Sequence, residues 1–126
     1  MKKAQKILII DDEKDLCELI QLILKDQKYK IDYAFSLKEG KRKWVTQLPP
    51  IVLLDQNLPD GSALDLIEHD PSLLLTSKVI MITADTLPST KTRAEAARID
   101  YFIQKPFSLK LIRDLVHEII SVYDDI

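Results

Sequence analysis

Four short apolar runs in this chain lead into residues able to do chemistry. Ile7–Ile10 runs into Asp11, Asp12 and Glu13, and Ile51–Leu54 runs into Asp55. Val79–Ile82 is followed by Thr83, and Tyr101–Ile103 leads past Gln104 into Lys105-Pro106. If the runs are parallel strands, these side chains meet at one sheet edge, and their types are complementary: acids, one hydroxyl, one ammonium. Bare carboxylates gathered there repel, by about 4 kcal/mol for two unit charges 4 Å apart at an effective dielectric near 20. A hard divalent cation relieves this, and Mg2+ suits two or three carboxylates plus waters. No His or Cys stands at these run ends, which argues against zinc. A carboxylate beside Mg2+ can attack phosphorus to form an acyl phosphate, with Thr83 and Lys105 donating to the phosphoryl oxygens. The set reads as phosphoryl transfer onto an aspartate. A lone Asp after a buried strand is most simply a helix N-cap. That explains Asp12 but leaves Lys105-Pro106 without a reason.

The elements that must position these residues follow from the pattern. A fifth, weaker run covers Tyr29–Phe35, and three of the five runs are apolar on both faces, as parallel strands covered on both sides should be. Helical periodicity fills the gaps. Leu16, Ile20, Ile23 and Gln27 keep a 3–4 spacing widened by Leu19 and Leu24, and Leu37, Trp44 and Leu48 share a side of the second segment. A third helix carries Ala63, Leu64, Leu66 and Ile67, and the last carries an apolar stripe from Leu111 to Tyr123. The fourth, Ser89 to Arg98, has mostly alanine to bury and should be the most loosely held. Strict alternation of five strands and five helices predicts an open α/β sheet with right-handed crossovers. Ligands of such sheets bind outside the carboxyl ends of the strands.

Composition narrows the function. The chain has 126 residues, one domain's worth, with 46% hydrophobic and 30% charged residues. Eighteen basic against twenty acidic residues give a net charge of −2, so no global basic field recruits nucleic acid. No apolar run approaches the roughly 20 residues of a membrane span. The apolar run after Met1-Lys2-Lys3 ends at Asp11, so no secretion signal is read there. The single Cys17 cannot form an internal disulfide, which fits a cytoplasmic setting.

At this point the sequence resembles a response-regulator receiver domain over essentially its whole length, residues 1–126. The resemblance rests on Ile-Leu-Ile-Ile-Asp-Asp-Glu (7–13), Val-Leu-Leu-Asp-Gln-Asn-Leu-Pro-Asp-Gly (52–61), Met-Ile-Thr-Ala-Asp (81–85) and Gln-Lys-Pro-Phe (104–107). It implies a flavodoxin-like, doubly wound five-stranded parallel sheet of order 2-1-3-4-5 with five helices. It implies Asp55 as phosphoacceptor, Mg2+ held by Asp11, Asp12, Asp55 and the backbone carbonyl of Asn57, Thr83 following the phosphoryl group, and Lys105 pairing with it. Pro106 resembles the family's cis proline, and Phe102 its switch aromatic. A sensor histidine kinase or histidine phosphotransfer protein is the implied donor. Asn57 and Asp85, two residues beyond the acceptor and the threonine, are candidates for tuning phosphoryl lifetime.

The departures fall in turns and the switch region. Ala63 stands where the family has glycine, with Gly61 nearby to absorb the turn; Arg98-Ile99 replaces Gly-Ala; Ser36-Leu37 replaces Asn-Gly. A left-handed Arg98 would cost about 1 kcal/mol. Phosphorylation adds roughly −1.5 to −2 charge. A moving Thr83 with Phe102 filling behind it would carry this to the face of the fourth helix, fifth strand and fifth helix. Apolar residues on the last helix are available there for a dimer or partner contact. Direct nucleic-acid binding is not expected, since no segment for it follows Tyr123. Of the remaining residues, Trp44 and Cys17 read as packing residues, His69 and His117 as surface helix positions, Lys41-Arg42-Lys43 as a solvated face, and Asp124-Asp125 as a helix end. Competing readings are a pseudo-receiver working through contacts alone, a haloacid-dehalogenase-like phosphatase and a flavin-binding domain. The intact acid–Thr–Lys set opposes the first. The second wants an acid where Asn57 stands, and Asp11-Asp12-Glu13 would repel the phosphate of the third.

Overall fold

The computed structural model describes residues 5–25 and 29–124; Met1–Lys3, Gln27, Asp125 and the side chains of Tyr123 and Asp124 lie outside that description. Five strands form one parallel sheet: β1 (Gln5–Ile10), β2 (Tyr29–Ala34), β3 (Ile51–Asp55), β4 (Lys78–Thr83) and β5 (Tyr101–Gln104). Their spatial order is β2-β1-β3-β4-β5, the doubly wound arrangement, so the order reverses between β1 and β3. The helices are α1 (Lys14–Ile23), α2 (Leu37–Gln47), α3 (Ala63–His69), α4 (Pro88–Ala96) and α5 (Leu109–Asp124).

Strand alternation divides the core in two. Leu8, Ile10, Val52, Leu54, Val79 and Met81 face one way and pack with Trp44, Leu64, Ile67 and Ala94 of α2, α3 and α4. Ile7, Ile9, Ile51, Leu53, Ile80 and Ile82 face the other and pack with Ile20 of α1 and Ile112, Val116 and Ile119 of α5. Both faces are covered, so β3 is buried along its whole length. Trp44 is a packing residue: it is fully buried and its Nε1 donates to Ser77 Oγ at 2.8 Å, while that hydroxyl donates to the Pro49 carbonyl.

Several expected boundaries shift for local reasons. Leu48 leaves the apolar side of α2. It is 57% exposed and caps the helix in a left-handed conformation (φ 48°), because Pro49-Pro50 cannot continue it. Leu19 is half exposed rather than part of the core stripe. The loop after β3 forms a two-residue antiparallel ladder, Asn57–Leu58 with Gly61–Ser62, and a 3-10 turn covers Pro71–Leu75. Neither was legible as periodicity.

The glycine departures resolve in the backbone. Gly61 takes the positive φ (148°), which frees Ala63 to begin α3 buried. At the end of α4, Arg98 is left-handed (φ 64°), its N–H donates to the Glu95 carbonyl at 3.0 Å, and the Ile99 N–H reaches the Ala94 carbonyl at 3.1 Å. This is a Schellman ending with arginine in the glycine position. Ser36 caps α2, its Oγ accepting the Glu39 N–H at 3.2 Å. Gly40 of α2 lies so close to β1 that an added Cβ would sit 2.7 Å from Ile10 Cδ1.

Two outcomes follow for urea unfolding. Arg98→Gly should raise stability by about 0.5–1 kcal/mol, relief of left-handed strain outweighing the added chain entropy. Gly40→Ala should lower it by about 1–3 kcal/mol, since Ile10 is fully buried and has nowhere to yield.

Candidate functional site

Strand register assembles the site. Ile10 pairs with Leu54 and Leu54 with Met81, so the next row along the sheet begins with Asp11 beside Asp55. Thr83 ends β4 opposite Gln104, and the Lys105 N–H extends that ladder to the Thr83 carbonyl at 2.7 Å. The Lys105-Pro106 peptide is cis. Asp11, Asp12 and Asp55 each offer an oxygen lying within 4.8 Å of the others. Lys105 Nζ stands 3.5 Å from Asp55 Oδ2, 3.6 Å from Asp11 Oδ2 and 3.4 Å from Glu13 Oε2. Charged residues from three chain segments thus close into one cluster at the carboxyl edge of the sheet.

Its electrostatics are unbalanced. Asp11 and Asp55 are buried, at 2% and 7% exposure, whereas Asp12 is exposed. Burial pushes the Asp11 carboxyl up to about 6, against the pull of the Glu13 N–H, with Asp55 adding repulsion. Burial also raises Asp55, despite the opposing pull of Lys105 and the Asn57 N–H. For Lys105 the balance runs the other way: burial disfavours its charge, but Asp11, Asp55 and Glu13 together hold the ammonium above its ordinary range. One lysine cannot neutralise this many acids. An all-oxygen donor set with uncompensated negative charge fits a hard divalent cation such as Mg2+, and the ligands present suit it.

The remaining expected residues occupy distinct places. Asn57 lies exposed in the short ladder, its N–H 3.3 Å from Asp55 Oδ1. Thr83 is fully buried, and its Oγ1 accepts the Asp85 N–H at 2.9 Å. The Asp85 carboxylate turns into its own loop, accepting the Leu87 N–H at 2.7 Å and the Thr90 hydroxyl at 2.6 Å. Phe102 is half-buried against the α2–α4 core cluster, not beside the acids. Cys17 donates to the Asp11 carbonyl at 3.6 Å, and burial with the nearby Asp11 charge pushes its thiol up to about 12, which makes it unreactive. His69 ends α3, and the His117 ring lies 5.6 Å from that of Tyr29.

Two residues that shape the site escaped the sequence. Gln56 is buried with every polar group used. Its N–H donates to the Ile82 carbonyl, its carbonyl accepts the Ala63 N–H, and its side chain joins Ser62 Oγ and the Leu64 N–H at 2.9 Å each. Asp60 reaches back to α2, its two oxygens accepting the Leu37 and Lys38 N–H groups at 2.8 and 3.0 Å, which lowers its carboxyl's pKa. An amide residue directly after Asp55 at the end of β3, and an Asp-Gly turn, were the available signals.

The chain is similar to known proteins over nearly all of its length. A family model described as the response regulator receiver domain matches residues 7–117. The response regulator protein PilR of Pseudomonas aeruginosa is 36% identical over 112 residues, covering 89% of this chain and 25% of that protein. The transcriptional regulatory protein DltR of Streptococcus agalactiae is 33% identical over 102 residues, covering 81% of this chain and 46% of that protein. This chain therefore spans from a quarter to about half the length of these curated relatives. Among solved structures, a CheY-like response regulator receiver domain protein from Methanospirillum hungatei aligns at TM-score 0.82 and 28% identity, covering 98% of this chain and 96% of that one. The non-phosphorylated HemR receiver domain from Leptospira biflexa aligns at TM-score 0.82 and 27% identity, over 93% and 94% of the two chains.

The raised Asp11 carboxyl sets a pH dependence. Its pKa climbs from 3.8 to about 6 on folding, so the native state favours the proton. Below about pH 4 the residue is protonated in both states and costs nothing. Through the window up to about 6 the unfolded chain ionises first, and stability falls with rising pH. In chelator, Asp11→Asn should raise unfolding free energy by on the order of 1–2 kcal/mol at pH 7.5 and by little at pH 4. Equal effects at the two pH values would contradict the burial account.

Proposed function

This chain belongs to the response regulator receiver domain family, and from that premise we propose that Asp55 is its phosphoacceptor. Receiver domains act in two-component signalling. For this one, the observation that carries the assignment is the placement of Asp55 at the end of the central strand, 3.5 Å from Lys105 and within 4.8 Å of Asp11 and Asp12. We take the receiver unit as residues 1–126, α5 running past the matched segment to Asp124.

Asp11, Asp12 and Asp55 would hold Mg2+, with the Asn57 backbone carbonyl completing the protein's share. When bound, the ion offsets carboxylate charge and draws on the charge of the phosphoryl oxygens. An Asp55 carboxylate oxygen attacks phosphorus as the bond to the donor's imidazole nitrogen breaks, and the imidazole leaves with the electron pair. Lys105 pairs with one phosphoryl oxygen, and the Thr83 hydroxyl donates to another. Hydrolysis by water returns the carboxylate, so the domain catalyses its own phosphorylation and dephosphorylation and acts on no separate substrate. Asn57 stands beside the acceptor and would bear on phosphoryl lifetime there, whereas Asp85, its carboxylate tied to Leu87 and Thr90, would bear on it only through its N–H to Thr83. Phe102, half-buried against the core cluster that α2, α3 and α4 share, is the switch aromatic that relays Thr83's movement to the face of α4, β5 and α5.

The donor is a sensor histidine kinase or a histidine phosphotransfer protein, and the output is a protein contact on that face, a second copy included. Neither nucleic acid nor a membrane is a direct partner in this reading. The net charge of −2 supports the first statement, and no described helix is long and apolar enough to cross a membrane. A cytoplasmic location accords with this donor.

Intact mass after incubation with Mg2+ and a small phosphodonor tests the assignment. A single phosphoryl-sized adduct, labile to hydroxylamine and dependent on Mg2+, is expected for the native chain and not for Asp55→Asn. An adduct retained in Asp55→Asn would move the acceptor elsewhere. No adduct together with no Mg2+ binding would leave a pseudo-receiver.

A further inference from the structure

The Thr83 hydroxyl is already engaged, and not by the acids. Its Oγ1 accepts the Asp85 N–H at 2.9 Å. Asp85 is itself pinned: Oδ1 accepts the Leu87 N–H at 2.7 Å and Oδ2 accepts the Thr90 hydroxyl at 2.6 Å. Thr90 lies in the first turn of α4 and is 7% exposed, and it is one of only two buried residues on that helix, with Ala94. The α4 N-terminus has no side-chain cap at Leu87, so Asp85 also serves as the polar anchor of the helix entry. A continuous hydrogen-bonded line thus runs from the buried site hydroxyl, through a charged carboxylate, into a helix with little apolar area to hold it.

We propose that Asp85 and Thr90 are positioning residues for the Thr83 hydroxyl, forming a tether that opposes its movement toward a phosphoryl group on Asp55 and so sets how readily the chain adopts its phosphorylated arrangement. The proposal rests on the reading of Asp55 as phosphoacceptor. A hydroxyl oxygen that advances toward Asp55 to donate to a phosphoryl oxygen lengthens the bond it accepts from the Asp85 N–H. Asp85 can follow only by stretching its bonds to Leu87 and Thr90. The Thr90 bond is to an ionised acceptor and is therefore among the stronger ones in the loop. Movement of Thr83 consequently pulls on the first turn of α4, and the α4 position feeds back on Thr83.

The test uses beryllofluoride with Mg2+ as the phosphoryl mimic, its affinity read by calorimetry on the full chain. Thr90→Val removes the hydroxyl at nearly constant volume and should bind beryllofluoride roughly 3- to 10-fold more tightly than the native chain. Thr90→Ser restores the hydroxyl and should return affinity to the native value. Thr92→Val is the control on the same helix, because its hydroxyl donates only to the Pro88 carbonyl. Asp85→Ala combined with Thr90→Val should be no tighter than the tighter single variant, since both cut one line. Without any mimic, the Asp85 amide should exchange hydrogen faster in Thr90→Val and at the native rate in Thr90→Ser. Thr90→Ala removes the same hydroxyl and replaces Thr90→Val if that variant does not fold. Native affinity and native amide exchange in Thr90→Val would overturn the tether while leaving Asp55 as acceptor. A native chain that binds no beryllofluoride, indistinguishable from Asp55→Asn, would overturn the acceptor assignment and the tether with it.

Discussion

The shortage of positive charge around Asp11 and Asp55 is the constraint to which the rest of the structure answers. Both carboxylates sit at the buried end of the sheet, with Asp12 and Glu13 nearby, and among the described residues Lys105 is the cation paired with Asp11, Glu13 and Asp55. Burial disfavours ionisation of both, so the native state carries an electrostatic cost at neutral pH that Lys105 offsets only in part. Under the proposed function, in which a divalent cation and a phosphoryl group meet at these carboxylates, that cost is what binding would relieve. The same arrangement, fully neutralised by protein groups, would have no reason to bind either.

Holding such a cluster requires that the backbone around it not relax. Two different polar devices do this on the β3 side. Gln56 ties the strand end to β4, to the short ladder and to the α3 N-terminus, using each of its polar groups once. Asp60 ties the far end of the same loop to α2 by a forked pair of bonds to its first N–H groups. Asp55 therefore ends β3 at the start of a loop whose position is set on both sides.

The β4 side is built on a different principle. There α4 buries only Thr90 and Ala94 and is held by polar ties: Asp85 at its start, the fork of Arg93 onto Glu68 and Asp65 of α3, and a strained left-handed Arg98 at its end. Polar ties exchange for water or for one another at modest cost, whereas apolar burial does not. The domain thus joins a half fixed around Asp55 to a half in which α4 is lightly held.

The fold and the meeting of Asp11, Asp55 and Lys105 at one sheet edge were legible in the sequence because both rest on local signals. A buried parallel strand must be an apolar run, and in an open sheet the residue after each run falls at the same edge, so Asp11, Asp55, Thr83 and Lys105 could be grouped before any coordinates. Gly61 was legible as the turn glycine, and Arg98 as a strained substitute. What the tertiary structure alone decided are interactions between residues distant in sequence or set by backbone hydrogen bonds. Examples are Asp60 serving a helix that begins 23 residues earlier, Leu48 leaving the core at a proline-enforced cap, Gln56 as the hub of the β3 loop, and Asp85 turned into α4 instead of toward the acids. Side-chain type and spacing report which face a residue belongs to. Which of several nearby donors a carboxylate takes depends on angles and distances of a few tenths of an ångström, and these exist only once the chain has closed on itself.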